Sequence, residues 1–180
     1  MNVKKLVAAA AIAATSLLGT AAFAQEGGGA APTDPQIVGI VTAANQIDIA
    51  QAKLALKKTK NDQVKQFAQQ MIDDHTKLQN SVNDLGKKLG VKPAPSATSK
   101  SLHTAATAET KKLRGLSGKA FDKEYIDHEV DYHQQVIDAA SKVLIPNAKN
   151  AELKSALEGA APLLQGHLDH AKQIQSSLGS

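Results

Sequence analysis

One stripe of apolar side chains constrains this chain more than any other feature. Val64, Phe67, Ala68, Met71, His75, Leu78, Val82, Leu85 and Leu89 recur three and four residues apart, the spacing that lines one face of an α-helix. The chain carries no period-two alternation, the mark of a half-buried strand. A helix with one apolar face must cover it with other elements, and here only helices are on offer.

Three further segments supply them. The first opens at Asp34-Pro35, a capping residue followed by proline at the first helical position. Its stripe runs Ile37, Ile40, Val41, Ala44, Ile47, Gln51, Leu54, Ala55. The segment described above is the second helix, expected from Asn61-Asp62 to Gly90. A third is predicted from about Lys119 to Leu144, with Phe121, Tyr125, Val130, His133, Val136, Ile137, Ala140 and Leu144 on its apolar side. Pro146-Asn147 should turn tightly into a fourth, which carries Leu153, Leu157, Leu164, His167, Ala171 and Ile174. Pro162 falls inside that helix and is expected to kink it or widen a turn, since it removes a backbone donor.

The spacing between the second and third helices decides the topology. About 28 residues separate them, where antiparallel neighbours need roughly 2 to 8. Val91 to Ser99 is rich in Pro, Ser and Ala, and a short, weakly amphipathic helix through Leu102, Ala105, Ala106 and Leu113 is predicted to follow. A connection of this length lets one strand of chain run the whole height of the domain. The expected fold is therefore all-α: a ferritin-like four-helix bundle with a long crossover, containing a short helix, between helices two and three.

The first 24 residues read as an export signal. Lys4 and Lys5 precede an apolar run from Leu6 to Leu18, and Ala22-Phe23-Ala24 fits signal-peptidase cleavage before Gln25. The run is about 13 residues, short of the roughly 20 that span a bilayer. Residues 25–33, rich in Gly and Ala, are expected to form a disordered leader, and residues 34–180 the bundle domain. The expected location is the periplasm, with secretion or peripheral outer-membrane association as alternatives. No transmembrane segment is expected in the mature chain.

Composition narrows the partners. Two of the 21 basic residues and none of the 17 acids lie in the export signal, which leaves 19 against 17. Such a balance, with three Phe, two Tyr and no Trp, gives neither the basic patch nor the stacking aromatics of a nucleic-acid binder. With no Cys, no disulfide or lipid attachment contributes, so helix packing must supply the stability. The sequence specifies no other partner and no oligomeric state.

The candidate chemistry rests on histidines. His75, His133 and His167 fall on the apolar stripes of three different helices, and Asp48 on that of the fourth. Counted from the nearest turns, Asp48, His75 and His133 lie near mid-bundle, with His167 one to two helical turns from that level. Glu129, one turn before His133, and Asp74, next to His75, add carboxylates within reach. Buried groups of this kind must be paired, metal-bound or wet. Two readings follow: a hydrogen-bonded core network, or a site for a divalent transition metal built from His75, His133, His167, Asp48 and Glu129, since neutral imidazole suits iron, zinc, copper and nickel. His103 is expected to be exposed and His128 to sit at the rim. His167 and His170 form a weak His-x-x-His pair.

The stretches FAQQMIDDH (Phe67 to His75), LSGKAFDKEY (Leu116 to Tyr125) followed by His133, and PLLQGHL (Pro162 to Leu168) resemble a ferritin-like family of exported bacterial proteins. That family is called a domain of unknown function, and its members are often labelled outer membrane proteins. The resemblance covers nearly all of the mature chain. It implies a periplasmic helical bundle with no established reaction, and an acid, usually Glu, at the position of Asp48. The di-iron proteins of the same fold need Glu-x-x-His on two helices. Ile72, Val130 and Leu164 stand three residues before His75, His133 and His167, so that centre cannot be assembled. Catalytic residues are not expected, and the one cofactor the residues leave open is a divalent transition metal. The functional expectation is a non-enzymatic binding or protective role with a buried His/carboxylate network, or, alternatively, metal binding without ferroxidase activity.

Overall fold

The computed structural model describes residues 31–179, and every regular element among them is helical. The bundle consists of α1 (Asp34–Lys58), α2 (Asp62–Leu89), α4 (Gly118–Ala139) and α6 (Ala151–Leu178). Between α2 and α4 lies α3 (Ala97–Gly115); a π-helical turn (Ala140–Leu144) and a single turn, α5 (Ile145–Asn147), extend α4. The predicted export signal and most of the predicted leader fall outside the described residues. No helix among the described residues is long and apolar enough to cross a membrane.

Contacts at the two ends define the direction of each helix. At one end, here called upper, the Ala94 N–H donates to the Pro35 carbonyl at 2.8 Å. There too the Asp34 carboxylate accepts from the backbone N–H of Lys149 (2.8 Å) and Asn150 (2.9 Å). At the lower end the Lys58 ammonium donates to the Arg114 carbonyl at 2.6 Å, and the Ser177 hydroxyl donates to Gln63 at 3.1 Å. So α1 descends, α2 ascends, α3 descends along the outside, α4 ascends and α6 descends. Helices α2 and α4 are parallel and joined by a full-height crossover, the ferritin-like arrangement expected from the length of that segment.

The crossover helix is longer and better packed than its weak periodicity suggests. Ser96 caps α3 by accepting the Ser99 N–H at 3.0 Å, while the Ser99 hydroxyl oxygen accepts the Ser96 N–H at 2.9 Å, so the helix begins within the stretch read as a loop. Leu102 and Leu113 are buried against the bundle. Because α3 covers its outer side, α1 is buried round most of its circumference, and Val38, Ala43 and Ala52 join the core although they lie off the expected stripe. Gly39 allows the close approach: a Cβ there would stand 2.1 Å from the Ala94 carbonyl oxygen. Thr33, not Asp34, is the N-cap of α1, which leaves the Asp34 carboxylate free to tie down the link between α5 and α6.

The widened turn falls at Pro146 and not at Pro162. Helix α6 runs through Pro162 without a widened turn, whereas the π turn sits immediately before Pro146. A proline ring clashes with the carbonyl four residues back. At Pro146 that carbonyl belongs to Lys142, and the widened turn of residues 140–144 makes room for the ring.

Two apolar clusters form the core of the bundle. The lower one contains Phe67, Met71, Phe121, Tyr125, Ala171 and Ile174, all essentially without solvent exposure. The upper one contains Ile37, Ile40, Ile47, Tyr132, Leu144 and Leu153, with Val82, Leu85 and Leu157 only partly buried against it.

Candidate metal centre

Between those clusters lies a polar layer in which every long helix of the bundle takes part. Asp48 of α1, His75 of α2, Glu129 and His133 of α4 and His167 of α6 are each no more than 4% exposed. The imidazole of His75 lies 5.7 Å from that of His133 and 5.3 Å from that of His167, and His133 and His167 are also 5.3 Å apart, between ring centroids. His167 therefore stands level with the others, not one to two turns away. The reason is axial: His133 is 14 residues before Asn147 and His167 is 16 after Ala151, a mismatch of about 3 Å at ~1.5 Å per residue.

Each imidazole is held from outside by one ring nitrogen. The His75 Nδ1 lies 3.0 Å from the Asn45 amide oxygen. The His133 Nδ1 lies 3.0 Å from the Glu129 carbonyl oxygen and 3.3 Å from its carboxylate. The His167 Nε2 lies 3.1 Å from the Asp74 carboxylate. These contacts fix the ring orientations, and with them which nitrogen is left over.

The left-over atoms face one another. His75 Nε2, His133 Nε2, His167 Nδ1 and both Asp48 carboxylate oxygens are buried without a hydrogen-bond partner. Asp48 Oδ2 is 3.2 Å from His75 Nε2 and 3.7 Å from His133 Nε2, near enough to pair but not aligned as hydrogen bonds. Ligand atoms of His75, His133 and His167 all lie within 4.8 Å of one another, and so do those of Asp48, Glu129 and His133. All five residues singled out from the sequence thus fall in one cluster, as two overlapping groups that share His133.

Burial sets the charge of this layer. It holds the His75 imidazole down to about 3, helped by His133 and His167, so that ring is neutral at physiological pH. His167 is lowered for the same reason, opposed by its hydrogen bond to Asp74. Burial pushes Asp48 well above the usual carboxylate range, with Glu129 adding to the effect, and raises Glu129 to about 8. Asp74 lies at the rim; its hydrogen bonds to His167 and Lys77 outweigh the effect of burial and hold it below its ordinary value. Without a cation, burial thus disfavours the charged forms of His75 and His167 and of the Asp48 and Glu129 carboxyl groups beside them.

The remaining histidines stand apart. His103 is exposed, as expected. His128 is half-buried and stacked on Tyr132 with centroids 5.5 Å apart. His170 places Nδ1 3.0 Å from the Gln70 side chain and packs edge-on against Phe67, so it does not join His167 as a ligand pair. Sequence reasoning missed Asn45, which lies one turn before Asp48; that spacing, on a helix buried on most sides, was the available signal. It placed Asp74 within reach without naming its partner, which is His167 across the bundle.

The fold and this layer define an all-α, ferritin-like helical bundle with a buried histidine–carboxylate cluster. The family model described as "Domain of unknown function (DUF4142)" matches residues 19–174, and the chain belongs to that family. No curated protein matches it. Among solved structures it is similar to CopM in the Cu(II)-bound form, with a TM-score of 0.62 at 20% identity over 81% of this chain and 98% of that one. It is also similar to a protein from Streptomyces coelicolor described as secreted and as DUF305, with a TM-score of 0.68 at 12% identity over 81% of this chain and 93% of that one. Both likenesses are of fold.

Proposed function

We propose that the chain is an exported protein that binds a divalent transition metal through His75, His133, His167 and Asp48, with copper(II) the first ion to test and zinc(II) the second. One observation carries the reading. The inward nitrogens of His75, His133 and His167 and the Asp48 carboxylate are buried and unpartnered, with Asp48 beside His75 and His133, while the outward ring nitrogens of the same histidines are all engaged. Buried polar atoms in native proteins are nearly always satisfied. A network that met its own hydrogen-bonding needs would not leave these particular atoms over. A cation held among the three imidazoles would satisfy their inward nitrogens and supply the charge that makes an ionised Asp48 beside His75 and His133 tolerable. Imidazole-rich sets with one carboxylate and no thiolate suit copper(II), zinc(II) and nickel(II), and the neutral His75 ring needs no deprotonation to bind. The likeness to a protein solved with copper(II) favours that ion for the first trial. Export is supported by the Lys4-to-Ala24 signal pattern and by the likeness to a protein described as secreted.

Glu129 stands beside the set as a further oxygen donor and as the group that orients His133. The test is elemental analysis of untagged protein together with thermal melts in chelator and in copper or zinc. One ion per chain and a melting temperature that rises with metal are expected, as binding to the folded state alone requires. His75→Leu should fold and lose that rise. A wild type with no metal-dependent shift would retire the reading in favour of a purely structural network. A shift that survives His75→Leu places the ion elsewhere.

A further inference from the structure

Above the polar layer the bundle is not filled. A cavity of about 110 Å³ lies inside the upper half, with Asp48, His75 and His133 at its closed end. Val41, Leu144 and Leu153 form its walls. It opens between α2 and α6, where Leu78, Val82 and Leu157 are half-buried and Ala156 is exposed. Three features of the chain keep the space open. Small residues, Ala44, Ala140 and Ala160, face it where leucine would close it. The π turn contributes both of its ends, Ala140 and Leu144, to the lining. And α2 keeps its Val82 and Leu85 only partly covered, so α6 does not close over them.

Native interiors are packed to crystal-like density and seldom leave voids larger than a water molecule. An apolar space of this size is the kind that stays dry and takes up a small apolar guest; a cavity of about 150 Å³ lined by aliphatic and aromatic side chains binds benzene or xenon. Charge selects further. No Lys or Arg lines the cavity, and its one acid, Asp48, sits at the closed end, so an anion finds no cationic partner along walls that are mostly aliphatic, with Ser81 and Asn45 as polar exceptions. The Asn45 amide oxygen is engaged by His75 while its Nδ2 has no partner, and the Tyr132 hydroxyl donates to the Ala44 carbonyl at 3.1 Å.

We propose that this cavity binds a small neutral apolar molecule, from a diatomic gas to a single aromatic ring, which enters between α2 and α6 and stops against His75 and His133. The walls alone create this site, so it exists whether or not a metal occupies the layer below. In a metal-loaded protein the guest would lie on the open side of the centre, the side away from His167, which does not line the cavity.

The experiment uses the chelator-treated full chain, so its outcome is independent of metal binding. Benzene is titrated in by calorimetry and by NMR of the methyl groups, and xenon uptake is followed by its chemical shift. Saturable binding of one benzene per chain is expected, with shifts at Val41, Leu144 and Leu153. Ala160→Leu, at the half-buried mouth, should weaken binding by roughly tenfold or more, because added methyl groups fill the space. Ala44→Leu should do the same from the opposite wall. If Ala44→Leu does not fold, Ala160→Leu alone decides. Benzoate, equal in size but charged, should not bind. The proposal is overturned by linear, unsaturable shifts in the wild type, by benzene affinity that Ala160→Leu leaves intact, or by benzoate binding as tightly as benzene. Metal binding without benzene binding would overturn this inference alone; benzene binding without metal binding would overturn the metal reading alone.

Discussion

The two halves of the bundle, below and above the histidine layer, are built from the same four helices and behave as different materials. Below, Phe67, Phe121 and Tyr125 are fully buried, with Tyr125 edge-on to Phe67 and stacked on Phe121 at 6.3 Å in each pair. Above, the buried residues are aliphatic apart from Tyr132, several of those packed against them are only partly covered, and a cavity remains. The stripe on α2 shows the change along one helix: Val64, Phe67 and Met71 are without exposure, whereas Leu78, Val82, Leu85 and Leu89 are half-buried. Periodicity is the same in both halves. What differs is side-chain volume, and volume decides whether four helices close on each other or leave room. The lower half thus acts as the clamp that holds the bundle together, and the upper half as the place where something can be admitted.

The largest test of this contrast is a truncation in the clamp. Phe67→Ala should cost about 3–5 kcal/mol, the range for removing a fully buried aromatic, and denaturant unfolding measures it. A loss below 1 kcal/mol would show that the lower half is not the stabilising one.

The layer between the halves should respond to pH in a way neither apolar half can. In metal-free protein the two buried groups act with opposite sign. His75 has a folded value near 3 against an ordinary 6.5, so its contribution is complete above pH 6.5 and is lost as pH falls toward 3. Glu129 has a folded value near 8 against 4.5, so its contribution is complete below pH 4.5 and is lost as pH rises toward 8. Between those limits the two slopes offset each other in the wild type. Glu129→Gln should therefore gain on the wild type as pH rises from 4.5 to 8, by up to about 1.4 kcal/mol per pH unit. His75→Leu should gain as pH falls from 6.5. Parallel stability profiles for wild type and both variants would contradict the buried, uncharged state assigned to these groups.

Asp74 holds His167 from outside through its Nε2. Asp74→Asn should weaken metal binding by about 10–100-fold, as loss of an orienting partner does, while the melting temperature in chelator stays close to the wild type. Competition against a metal indicator reads the affinity. Equal loss of affinity and of metal-free stability would make Asp74 a general structural residue.

The smallest effect belongs to the upper half. Leu85→Ala removes a partly covered side chain at the mouth of the cavity, where little packing is lost. It should cost about 1 kcal/mol or less, well under the 2–5 kcal/mol of a core leucine. A cost equal to that of Phe67→Ala would erase the distinction between the halves.

The sequence by itself determined the helices, their order and the crossover, because apolar period, caps and connection length are local quantities. Asn61, Gly90 and the spacing from Val91 to Leu116 carry that information without reference to any other part of the chain. It also placed Asp48, His75, Glu129, His133 and His167 in the interior, since each interrupts an apolar face or lies one turn from a residue that does. Tertiary structure alone decided the rest. The level of His167 depends on how α4 and α6 slide past one another, and its partner Asp74 comes from across the bundle. The burial of Val38, Ala43 and Ala52 depends on a crossover helix whose own pattern is weak. Which ring nitrogen of each histidine faces inward follows from what Asn45, the Glu129 carbonyl and Asp74 occupy. The cavity is the furthest from sequence, because a void is a property of four surfaces meeting, and no single helix records the volume that its neighbours fail to fill.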